Sequence, residues 1–392
     1  MKPSRTTTAV TTLLAATVLA ATAAPAVAAQ AHHRSVDRTA LQRALDRLAA
    51  DGVPGAVAEV RDEHGVWSGS AGREDLRSRQ RPSADDRFRA GSVTKSLVAT
   101  VVLQLVAEKK IGLDDRIDRY LPGLIPADHY GRQITVRQLL HHTSGLPDFL
   151  DVLRNRLMGE WHGDFTKLRT EHYTHRQLVS MALTLPSEFK PGEKGKWEYS
   201  NTNYVVLGLL VERVTGHSLG QQVDQRVIRP LHLKNTSMPA TSRIDGRHLH
   251  GYQRFPRPTD PFADITEYDP NVFWGPGNVV SNAHDLNTFY RALMGGKLLP
   301  AKLNKEMRNV TPDGADRPGR YYGLGLEGTT EYTRARAYGH TGSVPGYLTY
   351  SFVTGDGKRQ VTLALGSNLD LSPNPKAADD ARAFLKTALN GK

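Results

Sequence analysis

The chain has 392 residues, 39% of them hydrophobic and 23% charged, which fits a globular protein of one large or two ordinary domains and excludes a disordered chain. It contains no cysteine, so disulfides, thiol nucleophiles and thiolate metal sites are excluded. The formal charge is +11, but the basic residues are spread out and lack interleaved aromatics, so no nucleic-acid partner is expected.

Residues 1–31 read as a signal peptide. Lys2 and Arg5 give a positive start, and Val10 to Ala24 is an apolar, alanine-rich run. Ala26-Val27-Ala28 and Ala29-Gln30-Ala31 are both small-x-small cleavage candidates. The run is short of the roughly 20 apolar residues that a membrane span needs, and no later segment is long and apolar enough to cross a bilayer. Removing Lys2 and Arg5, with no acid lost, takes the charge from +11 to +9. The mature chain is expected to be secreted or held at the cell envelope, where its charge suits an anionic surface.

Val36 to Ala50 carries Leu41, Ala44, Leu45 and Leu48 at helical spacing. Ala56 to Arg61 and Gly65 to Ser70 read as a strand pair, and Arg73 to Phe88 as a polar loop. From Val93 to Val106 apolar residues fall on nearly every face, the pattern of an enclosed helix. Helices are then expected over Val136 to His141, His175 to Leu183, Thr202 to Val214, Leu219 to Arg229 and Ser281 to Leu293, the last capped by Ser281 or Asn282. Gly145 to Thr166 and Met238 to Asp269 read as loops. Strands are expected over Tyr321 to Leu326, Ala335 to Tyr338, Gly346 to Thr354 and Gln360 to Leu365, with a closing helix over Ala377 to Leu389. Strands at both chain ends imply an α+β fold in which one antiparallel sheet is built from both termini, flanked by helices, with an inserted helical subdomain.

The chemistry-bearing stretch is Arg89-Ala90-Gly91-Ser92-Val93-Thr94-Lys95, a tight turn delivering a serine to the start of the enclosed helix. Ser92 and Lys95 share one helix face, and a serine becomes a nucleophile once a neighbour takes its proton. Burial that keeps the lysine neutral would let it do so. Tyr199-Ser200-Asn201 stands just before a helix, and His340-Thr341-Gly342 at the end of an expected strand, whose edge can offer an N–H to an oxyanion. Two competitors rank lower. Ser187-Glu188-Phe189-Lys190 repeats Ser-x-x-Lys but precedes Pro191-Gly192 with no apolar helix after it. Gly216-His217-Ser218-Leu219-Gly220 matches the nucleophile elbow, yet a helix rather than a strand leads into it, so Ser218 reads as an N-cap. His141-His142 reads as a structural turn. His172-x-x-His175 and His248-x-His250 have spacing open to metal but lack an evident acidic third ligand.

In order, Ser-x-x-Lys, Tyr-x-Asn and His-Thr-Gly resemble the three motifs of the penicillin-recognising serine hydrolases, nearest to class C β-lactamases and secreted D-alanyl-D-alanine carboxypeptidases. Supporting blocks are Asp86 to Ser92, Leu140 to Leu146, Tyr199 to Val206, Gly277 to Leu286 and Tyr322 to Leu326. The resemblance implies a β-lactamase/transpeptidase-like domain over 32–390, with a sheet part near 36–110 and 277–390 and a helical part near 111–276. It implies that Ser92 is acylated, that Lys95, Tyr199 and His340 move protons with a phenolate or neutral amine as base, and that Asn201 binds the substrate amide. Trp274 would wall the cleft, Thr341, Gly342 and Ser343 would line the strand edge, and the N–H groups of Ser92 and Ser343 would form the oxyanion hole. The implied activity is a D,D-carboxypeptidase on D-Ala-D-Ala peptides that β-lactams acylate, with β-lactamase, esterase or non-hydrolytic penicillin- or peptidoglycan-binding as alternatives. The expected partners are a small peptide or β-lactam substrate and peptidoglycan, with no cofactor, no metal and a monomeric state. One position departs from the pattern: Glu327 stands where such carboxypeptidases place an arginine for the substrate's C-terminal carboxylate, with Arg334 and Arg336 as nearby substitutes.

Overall fold

The computed structural model describes residues 36–390 apart from 256, 258, 313–317 and 372. The signal peptide read at 1–31 lies outside them. Helix α1 (Arg38–Ala50) opens on Asp37, whose carboxylate accepts from the Ala40 N–H at 2.9 Å and so satisfies one free donor of the first turn. Its buried stripe is Leu41, Ala44, Leu45 and Leu48, and each leucine contributes about 2 kcal/mol through burial. Strands β1 (Gly55–Asp62) and β2 (Gly65–Gly72) form the expected hairpin.

Helix α2 (Thr94–Ala107) is buried along nearly its whole length. The helices α3 (Val136–His141), α4 (Phe149–Gly159), α5 (His175–Ala182), α6 (Thr202–Thr215) and α7 (Leu219–Val223) follow, then α8 (Ala283–Met294) and α9 (Ala301–Met307). The chain ends in β3 (Thr311–Pro312), β4 (Arg320–Tyr322), β5 (Glu327–Thr329), β6 (Ala337–Val344), β7 (Tyr347–Thr354), β8 (Gln360–Leu365) and α10 (Pro375–Asn390). The sheet order is β2-β1-β8-β7-β6-β5-β4-β3, and every pair is antiparallel. Val57 of β1 faces Ala364 of β8, so strands from the two chain ends lie side by side. One sheet face packs on α1 and α10 through Leu45, Phe352, Phe384 and their neighbours. The other faces α2, α8 and the helices between them.

Several elements differ from the sequence-based expectations. Gly145 to Thr166 is not all loop, because it holds α4, started by the Asp148 carboxylate accepting from the Leu150 N–H at 3.0 Å. The apolar run Phe149, Leu153, Leu157 at four-residue spacing is the signal for it. Helix α9 was not expected either. The stretch expected as one strand over Tyr321 to Leu326 is two strands joined by a tight turn, where Gly323 N–H reaches Leu326 C=O at 2.8 Å and Gly325 has φ +74°. A side chain at Gly325 would meet Ala99 of α2 at 2.3 Å. The expected helix over Leu219 to Arg229 widens into a π turn after Val223. Of the two cap candidates at α8, Asn282 makes the bond, accepting from Asp285 N–H at 2.9 Å. His340-Thr341-Gly342 lies within β6 rather than at a strand end.

Candidate active site

The turn before α2 is anchored from behind. Phe88–Arg89 pairs with Val280–Ser281, and the buried Arg89 guanidinium donates to Thr266 C=O at 2.9 Å. Gly91 then takes φ +56°, a conformation that favours glycine. Space imposes the same choice: a Cβ on Gly91 would lie 2.8 Å from Ser343 N, and one on Gly342 would lie 2.0 Å from Ala90 O. The turn and β6 therefore touch backbone to backbone. Ser92 sits in a 3-10 turn, Gly91–Val93, just before α2, where free N–H groups point outward.

Strand β5 covers β6 only from Ala337 to Gly339, so the edge from His340 to Val344 is open. Val344 and Tyr347 close a two-residue turn against β7. The closing pair of such a turn is hydrogen-bonded, and the alternation of an antiparallel ladder then directs the Ser343 peptide away from β7, toward Gly91 and Ser92.

Lys95 Nζ lies 2.9 Å from Ser92 Oγ, 2.7 Å from Asn201 Oδ1 and 3.3 Å from Pro276 C=O. Lys95 is fully buried. Burial lowers its pKa to about 7, with Asp148 and Glu327 working in the opposite direction. Burial pushes the Tyr199 phenol well above the usual range, although the neighbouring Ser92 hydroxyl works to lower it. Its ring lies 4.6 Å from Lys95 Nζ. Asn201 is engaged on both sides of its amide, because its Nδ2 donates to Asp148 Oδ2 at 2.7 Å.

A cavity of about 590 Å³ opens over these groups, and Ser92, Tyr199, Asn201, Thr341 and Ser343 line it. Gly342 packs on the Ala90 backbone without lining the cavity, and two further expected site residues are placed elsewhere. Trp274 is not among the described residues of the cavity wall. It is buried, stacked on His175 at 3.4 Å between centroids, and covers Gly208 of α6, where a Cβ would meet its ring at 2.7 Å. His340 is fully buried, without a place in the wall. Its Nδ1–H donates to Thr341 C=O at 2.5 Å and faces Glu327 at 3.2 Å, while Nε2 accepts from the Tyr322 hydroxyl at 3.0 Å.

The charges of the wall are largely acidic: Asp148, Asp151, Glu198, Glu327 and Asp370 against Arg154 and Arg320. Arg334 and Arg336 are not among the described lining residues, so Arg320 is the arginine that approaches Glu327, at 3.9 Å. Glu327 also accepts from the Thr341 hydroxyl at 2.7 Å. Burial alone would raise its pKa, but His340, Arg320 and Thr341 hold it below the usual glutamate value. Asp148, Tyr322 and Arg320 were not singled out from sequence, and only the N-cap position of Asp148 carried a local signal.

The competitors fall away. Ser218 accepts from Gln221 N–H at 3.2 Å as the cap of α7, with Gln221 returning the bond to Ser218 N–H. Ser187 lies in the loop after α5, outside the cavity wall. His172 pairs with Asp269 and His250 with Asp264. Among the described residues no group of three or more His, Cys, Asp or Glu is arranged to hold a metal ion. None of the described helices is long and apolar enough to cross a membrane.

The Beta-lactamase family model matches residues 41–388. The chain is a member of the beta-lactamase family. A D-stereospecific amidohydrolase from Streptomyces is 36% identical, with a TM-score of 0.79 over 88% of this chain and 98% of that one. A D-amino acid amidase from Ochrobactrum anthropi, bound to L-phenylalanine amide, is 26% identical, with a TM-score of 0.75 over 89% and 97%. Penicillin-binding protein 4* of Bacillus subtilis is 27% identical over 72% of this chain, and the match spans 61% of that relative's length. Family membership makes the protein a serine hydrolase of the β-lactamase/transpeptidase fold, with its mixture of helices and a large antiparallel sheet.

Proposed function

We propose that this protein is an exported serine amidohydrolase that works through an acyl-enzyme on Ser92. The observation that carries the chemistry is the buried Lys95 amine 2.9 Å from Ser92 Oγ. Depressed toward neutrality, Lys95 accepts the Ser92 proton while Oγ forms a bond to the substrate carbonyl carbon. Tyr199, whose phenol is pushed upward, serves as a proton relay rather than a resident phenolate. The N–H groups of Ser92 and Ser343 face the developing oxyanion. The C–N bond then breaks as the proton passes to the leaving nitrogen, and water hydrolyses the ester. Asn201, with its amide engaged by Lys95 and Asp148, orients the base. His340 acts through Tyr322 and Glu327, which line the cavity.

For substrate, the acid-rich wall favours a cationic group such as a free α-amine over a carboxylate. That preference, with 36% identity to a D-stereospecific amidohydrolase, supports amides of D-amino acids or short peptides with a free amino end. A second reading, D,D-carboxypeptidase on D-Ala-D-Ala peptides with acylation by β-lactams, is favoured by Arg320 and Arg154 in the same wall. Export rests on the targeting segment at 1–31, and would bring the enzyme to peptidoglycan peptides.

One preparation should be assayed for ammonia release from D- and L-amino acid amides, D-alanine release from a D-Ala-D-Ala peptide, and β-lactam and ester hydrolysis. Fastest turnover of a D-amide is expected, with Ser92→Ala inactive. Equal activity in Ser92→Ala would overturn the mechanism. Faster release of D-alanine would shift the assignment to the second reading.

A further inference from the structure

We infer that His142 is a positioning residue that holds Tyr199 against Ser92 and so sets the rate of proton transfer there. The inference rests on the Ser92 mechanism proposed above. His142 is fully buried at the C-terminal end of α3, in the left-handed conformation with φ +60°. It grips the Tyr199 segment at three places. Its C=O accepts from Glu198 N–H at 3.2 Å, and its Nδ1 accepts from Ser200 N–H at 3.2 Å. Between those two amides stands Tyr199, whose ring stacks on the His142 imidazole with centroids 4.4 Å apart and planes at 29°.

The imidazole is itself fixed. Nδ1 also receives Asn203 Nδ2 at 3.0 Å. A backbone N–H can only donate, so Nδ1 is bare and the ring proton is on Nε2. Nε2 is buried with no hydrogen-bond partner among the described residues, and the ring is enclosed by Tyr322, Tyr204 and Trp197 at 4.8–5.7 Å. Leu140, two residues earlier, is pinned from two sides, its C=O accepting from Tyr204 Oη at 3.0 Å and from Gly325 N–H at 3.2 Å. The ring is thus a fixed plate, and Tyr199 inherits its orientation. Burial, with Lys95 and His340 nearby, also keeps the imidazole uncharged, so it adds no cation beside the amine that must stay neutral.

The test is His142→Asn. Asparagine tolerates positive φ and offers an oxygen to Ser200 N–H, so the variant removes the plate while retaining the turn. On whichever substrate the wild type turns over fastest, kcat should fall roughly tenfold to a hundredfold with KM nearly unchanged, since misplacement near 1 Å costs that much. In a Tyr199→Phe background the same change should cost little more. A merely structural residue would give additive losses, so additivity overturns the inference, as does a kcat within about twofold of wild type. If His142→Asn does not fold, Asn203→Ala, which frees one anchor of the ring, is read by the same kcat, KM and double-variant criteria. Ser92→Ala separates the two levels: activity there sinks the mechanism itself, whereas an inactive Ser92→Ala beside a fully active His142→Asn sinks only the role of His142.

Discussion

Glu327 Oε1 stands 3.2 Å from Nδ1 of His340, and the pairing fixes a negative charge in the wall of the cleft. The same oxygen accepts from Thr341 on the open edge of β6, so the carboxylate is locked rather than mobile. A substrate carboxylate arriving beside it meets repulsion that Arg320, 3.9 Å from Glu327 Oε2, only partly offsets. Glu327→Gln keeps an acceptor for Thr341 and removes the charge. The ratio of kcat/KM for a peptide with a free C-terminal carboxylate to that for its amide should rise roughly tenfold, about 1.4 kcal/mol. An unchanged ratio would mean that Glu327 does not face the substrate's C-terminal end.

The pair also predicts a pH dependence of stability. The folded-state pKa of Glu327 is held below its ordinary value, so its contribution is present above the unfolded-state glutamate pKa and is lost as pH falls through the lower, folded one. His340 is likewise depressed, by burial, so the unfolded chain takes up a proton below about 6.5 that the folded chain refuses. Both act in the same direction. Thermal midpoints should therefore decline as pH falls from 7 through the histidine range and then the carboxylate range. The wild type and Glu327→Gln should converge at the acid end, which melting curves at stepped pH would read.

Lys95 gives the corresponding statement for rate. Its amine is the base only when neutral, and burial brings its pKa to about 7. The plot of kcat/KM against pH should thus rise through an acid limb centred near 7 and level off above it. Lys95→Arg, always charged, should lose at least about a thousandfold without a comparable loss of melting temperature. A limb centred near the ordinary lysine value would show that substrate-free Lys95 is protonated across the working range.

What could be read from sequence follows the range of the interaction. Ser92 and Lys95 are legible because three residues along a helix share a face, and the sheet is legible because alternation marks its strands at both chain ends. Asp148 is not legible as a site residue, since its contact with Asn201 spans 53 positions and a local reading sees only a cap. Trp274 carries no mark that tells a wall from a buried stack, and only the fold puts His175 against it. The split of β4 from β5 depends on Gly325 meeting α2, a tertiary contact that apolar runs do not encode. His142 reads as a turn residue in sequence, and that is accurate for its backbone. Its ring gains a role only when α3 meets the Tyr199 segment.

Backbone contact between the nucleophile turn and β6 yields a further prediction. A methyl group on Gly342 would lie 2.0 Å from Ala90 O, which no side-chain rotation relieves. Gly342→Ala must therefore push β6 away from Ser92 and separate the two oxyanion N–H groups. Loss of one such donor costs about a hundredfold to a thousandfold in kcat. Overpacking adds about 1–3 kcal/mol of destabilisation. Activity and denaturant midpoints measured on the same sample would check both figures, and wild-type turnover in Gly342→Ala would show that Ser343 N–H is not part of the hole.

Ser92 and Ser218 offer a matched pair of serine-to-alanine changes with opposite expected outcomes. Ser218 Oγ caps α7, bonded to Gln221 N–H, and α6 rather than a strand leads into it. Ser218→Ala should destabilise the protein by about 1 kcal/mol and leave kcat/KM unchanged. Ser92 Oγ bears on the lysine amine and the cleft, and capping α2 is not its task, because Thr94 and the 3-10 turn carry the local bonds. Ser92→Ala should abolish turnover and covalent labelling by a fluorescent penicillin while the melting temperature stays within a few degrees. Retained labelling in Ser92→Ala together with its loss in Ser218→Ala would move the nucleophile to the α6–α7 junction and overturn the assignment.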